Sequence, residues 1–479
     1  MIRGFLSMYS PAFPKTLVYM LQSTEYQVAD YLRWFWRTTN FSKVTRRRTL
    51  DYTKPARLLL AAVRSGILVQ LLIGLCLIFI GLRSDNQYLC IAGSAIIILY
   101  PIVWAHLITV PLVLGRVFIS RPAENKLIAA STEIFAKHPG KKIAVAGSYG
   151  KTTMKELLAT VLSEGLTVAA TPANKNVSIS HAYFARKLTG SEDVLVIEYG
   201  EGAPGDVARF AKITQPTHAI ITGLAPAHLD KYLTLDAAGR DIMSVADYLK
   251  NQQVFINDES PELKSFIKDE HERFNAAGVL GWKVRNIKLS LKGTSFDLCK
   301  GKRAIALQSG LVGRHQIGFL SLVATLGLQL GQTTEQIQAG IAKTKPFEHR
   351  MQPYQLGGAW IIDDTYNGNL EGLRAGTALL AELPASRKIY VTPGLVDQGD
   401  QAERVHVEAG QLIAVAQPDI VVLMQNSVTK FIQTGLAKAG FDGEVRIEVD
   451  PLEFYTNLNL LVAAGDLVLM QNDWTDNYA

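Results

Sequence analysis

The hydrophobic pattern divides the chain into two kinds of sequence. Residues 66–82 are continuously apolar apart from Gln70, and after a polar turn at 83–87 a second apolar run covers 88–115, with Pro101, His106 and Pro111 inside it. The first run is about as short as a spanning helix can be, and the second is long enough to span. Two buried core helices would give a similar pattern. Two such runs back to back, with so few polar residues, instead predict a transmembrane helical hairpin. From about residue 122 short apolar runs alternate with helical periodicity. Runs at 143–146, 194–197, 218–221 and 254–256 read as buried strands with helices between them, the signature of a parallel sheet covered by helices. Short antiparallel strands are expected over 288–307, helices over 319–330 and 334–342, and a second α/β set with strands at 360–362, 389–391, 420–423 and 467–469.

The turn after the first of these strands reads Gly147-Ser148-Tyr149-Gly150-Lys151-Thr152-Thr153, and helical spacing begins at Met154. Strand, glycine-rich turn and helix form the context that a phosphate loop requires. Gly147 and Gly150 let the backbone approach phosphate oxygens, and the helix N-terminus offers free N–H groups and a positive dipole end. Lys151 can reach the outer phosphates, and the Thr152 hydroxyl can ligate Mg²⁺. The common spacing of this motif wants a glycine where Val145 stands, and the plain alternative is a turn with a solvated lysine. Glu198 ends the strand at 194–197, and His228 follows the strand at 218–221. Ligand sites in open α/β sheets form at such strand ends, so Thr152, Glu198 and His228 are candidate metal ligands. Each of the latter two could otherwise be an ordinary capping or loop residue. Asn174 and Asn176 are turn formers by default.

Composition sharpens this picture. The 479 residues are 48% hydrophobic with a mean hydropathy of +0.12, unusual for a wholly soluble enzyme and consistent with a membrane part. The formal net charge is +6, but basic residues gather beside the apolar runs. Aromatics Tyr26, Tyr31, Trp34, Phe35 and Trp36 interleave with Arg33 and Arg37, and Lys43 and Arg46 to Arg48 follow. Nucleic-acid binding is one reading of that interleaving; an interfacial segment on anionic lipid is the commoner explanation next to a membrane run, and no nucleic-acid partner is expected. Positive flanks on both outer ends of the hairpin (Arg57 and Arg64 before it, Arg116, Arg121 and Lys126 after it) put both ends on the cytoplasmic side. The three cysteines lack metal-ligand spacing, which argues against a disulfide framework or a zinc site and fits a reducing cytoplasm. The start lacks a compact apolar core with a small-residue cleavage site, so no cleavable signal peptide is expected.

Taken together, the motifs resemble the Mur ligase family, the ATP-dependent amide-forming enzymes of peptidoglycan precursor synthesis, and within it the branch that adds D-alanyl-D-alanine. The resemblance rests on the phosphate loop, Asn174 with Asn176, Glu198-Tyr199-Gly200, Ala227-His228-Leu229, Asn257-Asp258, Gly313-Arg314-His315, His349-Arg350-Met351 and Asp363-Asp364-Thr365-Tyr366-Asn367-Gly368-Asn369, with His406 beyond them. It covers roughly residues 122–479. The resemblance implies a central ATP-binding parallel-sheet domain with the phosphate loop (122–347) and a C-terminal Rossmann-like α/β domain (348–479); with the basic, aromatic interfacial segment (1–56) and the two-helix transmembrane hairpin (57–121), which stand where soluble family members carry a domain that grips the UDP-sugar, the chain reads as α/β in four parts. The resemblance further implies a reaction in which a substrate carboxylate takes the γ-phosphate of ATP, and an amine then displaces phosphate from the acyl phosphate.

Carried onto this chain, the resemblance makes Lys151, His228 and Arg350 catalytic. Gly147, Ser148, Gly150, Lys151, Thr152, Thr153, Asn257, His315, Arg350 and Asp364 would hold ATP, and Thr152, Glu198 and His228 would hold Mg²⁺. Asn174, Asn176, Tyr366, Asn367 and Asn369 would meet substrate. The partners would be a muropeptide acceptor, UDP- or lipid-linked, an amino acid or dipeptide donor, and membrane lipid; the location would be the cytoplasmic membrane, two-pass, with the N-terminus and catalytic domains cytoplasmic. The chain also departs from the family pattern. The position of the family's carbamylated lysine falls at Ile242 and that of its partner glutamate at Ser244, Leu370 replaces a proline, and Met470-Gln471-Asn472-Asp473-Trp474 replaces a late Lys-Gly-Ser. A non-catalytic nucleotide-binding scaffold, or an amide ligase on a non-wall acceptor, are the competing readings.

Overall fold

The computed structural model describes residues 6–24, 26–41, 50–173, 175–226, 229–366, 368–396 and 398–472. The chain forms two compact units, Met1–Lys126 and Leu127–Ala479.

In the first unit, helix Lys54–Arg83 and helix Gln87–Leu107 form an antiparallel hairpin around the turn at 84–86. Asn86 caps the second helix by accepting from Tyr88 N at 3.0 Å. The expected run 88–115 is not one uninterrupted helix. Pro111 has no N–H to give the Leu107 carbonyl, and the helix breaks at Ile108 before resuming over Thr109–Gly115. The two helices approach at glycines: a Cβ on Gly93 would stand 2.5 Å from Gly74 O and 2.8 Å from Ile78 Cγ1. Gln70, the one polar residue of its run, donates to Ile96 O (2.9 Å) and accepts from Trp104 Nε1 (2.8 Å), so its amide is satisfied inside the hairpin. Before the hairpin, helices Phe13–Ser23 and Val28–Arg37 supply Phe13, Leu17, Leu21 and Phe35 to a cluster with Leu59, Leu60 and Val63, so part of the segment 1–56 is packed helix. Lys43 and Arg46 to Arg48 lie outside the described residues.

The hairpin gives a direct test. Gly93→Leu forces a side chain into the Gly74 backbone and should destabilise the unit by about 1–3 kcal/mol. Gly115→Leu, where a Cβ meets nothing within 4 Å, should leave thermal unfolding of the full chain in detergent unchanged. Equal melting temperatures for the two variants would refute the close approach.

The second unit holds two sheets. Strands β1 (Lys141–Ala146), β2 (Val168–Ala170), β3 (Val194–Glu198), β4 (His218–Ile221), β5 (Val254–Asn257), β6 (Glu272–Asn275), β7 (Gly278–Val279), β8 (Trp282–Ser290), β9 (Gly293–Lys300) and β10 (Arg303–Ser309) form the first. Its order is β10-β9-β8-β7-β6-β5-β4-β1-β3-β2, parallel from β2 to β6 and antiparallel from β6 to β10. The strands form because their apolar runs are buried on both faces, with Ile143, Val145 and Val196 toward one cluster and Ala144, Leu195 and Ile197 toward the other. Helix Lys151–Leu162 buries Met154, Leu157, Leu158, Val161 and Leu162, one stripe at helical spacing.

Strands β11 (Gln352–Leu356), β12 (Ala359–Asp364), β13 (Arg387–Thr392), β14 (Ile420–Met424), β15 (Glu444–Glu448) and β16 (Asp466–Gln471) form the second sheet, in the order β11-β12-β16-β13-β14-β15. All its pairs are parallel except β11 with β12. The chain is thus mixed α/β with parallel sheets. The short strands β2, β6 and β7 and the edge strands β11 and β15 are additions to the expected set. β15 alternates charged and apolar residues (Glu444, Val445, Arg446, Ile447, Glu448), which hides it in a search for continuous apolar runs.

Candidate active site at the strand ends

The crossover from β1 leads to β2 and then β3 on one side of β1, while β4 returns on the other. The end of β1 is therefore a topological switch point, where a crevice opens outside the carboxyl ends of the strands. Register aligns those ends: Val145 pairs with Glu198, and Ala146 with Ile221.

The turn after β1 is shaped for close approach. Gly147 has φ +140° and Gly150, which precedes the first helical residue, has φ +77°, a left-handed conformation that an L side chain resists. Ser148 N donates to Gly223 O at 2.8 Å, and the Thr222 hydroxyl bonds to the carbonyls of Ala146 and Tyr149, tying the loop to the end of β4. Asn257 at the end of β5 donates to Thr222 O at 2.9 Å.

Thr152 Oγ1 donates to Glu198 Oε1 at 3.2 Å, and Asn176 Nδ2 donates to the same oxygen at 3.2 Å. Glu198 is buried, and its Oε2 accepts no hydrogen bond. The ammonium of Lys155, also wholly buried, lies 3.5 Å from that oxygen and 3.0 Å from Glu156 Oε1. A buried carboxylate oxygen without a donor, beside a threonine hydroxyl at a helix N-terminus, fits the hard oxygen ligation that Mg²⁺ requires. Lys151 Nζ meets Glu201 Oε2 at 2.7 Å and also donates to Gly147 O. Neither Lys155 nor Glu201 was singled out from the sequence.

A cavity of 380 Å³ joins the first sheet to the second. Gly150, Thr153, Asn257, His315, Arg350, Asp364, Tyr366 and Asn369 all line it, together with the apolar faces of Phe319 and Leu311. Gly147, Ser148, Lys151, Thr152, Glu198 and Asn176 stand at the strand ends and do not line the cavity. Burial lowers the His315 imidazole to about 4, so it is neutral at physiological pH. The Arg350 guanidinium stacks on Tyr366 at 4.4 Å. Asn369 caps helix Leu370–Glu382 by accepting from Gly372 N at 2.9 Å. Asp364 accepts from Met351 N (3.1 Å) and from Gln471 Nε2 (2.7 Å); burial raises its carboxyl to about 6 against the lowering effect of these donors and Arg350. Arg314 and Glu382 form a bidentate pair across the cavity at 2.6 Å and 2.9 Å. Asn174, His228 and Asn367 lie outside the described residues.

A model of the Mur ligase middle domain matches residues 145–325. The UDP-N-acetylmuramoyl-tripeptide–D-alanyl-D-alanine ligase of Escherichia coli K12 is 28% identical over 336 residues, which span 64% of this chain and 72% of that protein. The chain carries a Mur ligase middle domain. Its fold agrees: MurF from Acinetobacter baumannii superimposes with a TM-score of 0.64 at 21% identity, covering 73% of this chain and 77% of that one. MurF from Thermotoga maritima, solved in complex with ADP, gives 0.63 at 22% identity, covering 73% and 80%.

Ile242, where the sequence count expects the family's carbamylated lysine, is fully buried in an apolar cluster, and the Ser244 hydroxyl is turned onto Asp241 O. Lys231 and Lys250, the nearest lysines before and after it in sequence, are exposed. Gln471, within the stretch that replaces Lys-Gly-Ser, holds Asp364, Tyr390 and the Gly372 carbonyl. His406 is buried in helix Ala402–Val415, where its Nε2 accepts from Leu395 N at 2.9 Å and braces the loop after β13.

Proposed function

We propose that this chain is an ATP-dependent, ADP-forming ligase of peptidoglycan precursor synthesis, which joins D-alanyl-D-alanine to the tripeptide carboxylate of a UDP-N-acetylmuramoyl-tripeptide. The observation that carries this reading is the cavity, walled on one side by the phosphate-loop sheet and on the other by the sheet of β12, in a chain related to such a ligase over 336 residues.

Mur ligases use ATP and Mg²⁺. Bound Mg²⁺ supplies charge neutralisation at the phosphates, and Thr152 and Glu198 are the residues here that would hold it, with His228 as a further ligand. Asn176 fixes the Glu198 carboxylate for that role. Lys151 stabilises charge on the outer phosphates. Asn257, His315, Arg350 and Asp364 hold the nucleotide side of the cavity. The acceptor carboxylate attacks the γ-phosphorus and ADP leaves; the amine nitrogen then attacks the acyl carbon, phosphate leaves, and the amine proton is lost. Tyr366 and Asn369, with Asn174, Asn176 and Asn367, orient these reactants, and a closed, dry site protects the acyl phosphate from water.

The hairpin Lys54–Arg83 and Gln87–Leu107 turns Leu68, Leu72, Leu75, Phe79 and Ile91 outward, all more than half exposed. Such a surface suits lipid, and the flanking arginines support two-pass attachment to the cytoplasmic membrane with the ligase part cytoplasmic. It also favours one second reading, a lipid-linked acceptor. Purified full-length enzyme, assayed for ADP release with D-alanyl-D-alanine and either acceptor form, tests both. Release that needs acceptor and amine establishes the ligase; nucleotide binding without turnover on any acceptor would leave a scaffold.

The rate should fall as pH drops through about 6, where Asp364 gains its proton. Gln471→Leu removes a donor that favours the ionised carboxylate, so the acid limb should move to higher pH. A pH profile of ADP release whose acid limb is the same in both enzymes would remove Asp364 from the reaction.

A further inference from the structure

We propose that Glu201 makes nucleotide binding conditional on a divalent cation. The inference rests on the reading of 147–153 as a nucleotide-binding loop and adds a residue to it. Glu201 lies in the loop between β3 and helix Asp206–Thr214, beside Gly200 and Gly202. Its carboxylate meets Lys151 Nζ through both oxygens, at 2.7 Å and 3.0 Å, with the two side chains only 6% and 12% exposed. Among the described residues, Lys151 is its one ion-pair partner.

The charge count at the strand ends decides the consequence. Lys151 pairs with Glu201, and Lys155 pairs with the buried Glu198 and the more exposed Glu156. Each ammonium already has its counter-charge. A second donor of Lys151 goes to Gly147 O, and an ammonium has three. A phosphate arriving at Lys151 therefore competes with a carboxylate for the same cation, in a partly dry site where such competition is strong. A divalent cation removes the conflict because it brings new positive charge for phosphate and carboxylate together. Without Glu201, Lys151 would be free for phosphate whether or not a cation were present. The carboxylate thus trades some affinity for bare nucleotide against selectivity for the cation-bound form.

The test measures ADP binding to the full-length chain in detergent by calorimetry, once with Mg²⁺ and once with EDTA, and takes the ratio of the two dissociation constants. Glu201→Gln should lower that ratio about tenfold, through tighter binding in EDTA, as expected for loss of a competing charged hydrogen bond. Glu201→Ala should do the same, and it reads the effect if the glutamine variant fails to fold. Glu201→Asp, which keeps the charge, should retain most of the wild-type ratio. A ratio unchanged in the Gln and Ala variants would overturn the proposal, even if both constants moved together. Wild-type protein that binds no ADP in either condition would instead sink the nucleotide reading on which the proposal stands.

Discussion

Replacing Lys151 with alanine should cut acceptor-dependent ADP release by about a thousandfold, the scale on which a single oriented charge contributes to transfer chemistry. The ammonium stands at the first residue of helix Lys151–Leu162, where the backbone N–H groups and the dipole already favour anions. It adds a mobile full charge that can follow the phosphoryl group as it moves. Lys151→Arg keeps the charge on a longer, planar fork and should recover only part of the rate. The alanine variant loses its pair with Glu201, so its folding must be checked by thermal melting before the rate is interpreted. Activity within threefold of wild type in a folded Lys151→Ala protein would show that the loop does not serve the transferred phosphate.

The second large effect concerns stability. Lys155→Met should destabilise the second unit by about 3–5 kcal/mol, because it leaves the buried Glu198 carboxylate without a counter-charge. Lys155 also donates to the Ala173 carbonyl, so that acceptor is lost a partner as well. Glu198→Gln in the same background neutralises the stranded charge, and the double variant should melt higher than Lys155→Met alone. Mg²⁺ with ADP should recover more stability in Lys155→Met than in wild type, since the cation can stand in for the missing ammonium. Additive losses in the double variant would show that Lys155 and Glu198 do not act as a pair.

Much of this organisation was legible in the sequence, for physical reasons. The phosphate loop is contiguous, and its glycines, lysine and threonine act within one strand–turn–helix unit. Glu198 was visible because a charged residue follows four apolar ones at a strand end. Lys155 was not visible: on a helix, a lysine four residues after Lys151 and next to Glu156 reads as part of a solvated face. Its burial depends on Glu198 and on the carbonyl of Ala173, which come from other elements. Glu201 was not visible either, since its pairing with Lys151 is set by the fold of the loop after β3. Gln471 was noticed as a departure, but its hold on Asp364 depends on β16 lying beside β12. The hairpin was legible in its apolar runs, while the break at Ile108 needed the carbonyl accounting around Pro111.

The placement of β16 has a consequence for synthesis. It is the last strand described in the chain, yet it lies in the interior of its sheet between β12 and β13. β12 and β13 each hydrogen-bond to β16 rather than to one another. As the chain leaves the ribosome, β12 emerges about a hundred residues before its partner, and at ordinary translation speeds waits on the order of 5–20 s with an unpaired apolar edge. During that interval Trp360, Ile361 and Ile362 are open to wrong pairing, and only the antiparallel β11 protects one side of the strand. Ribosome-bound chains arrested shortly before residue 466 should therefore be the ones that a chaperone holds.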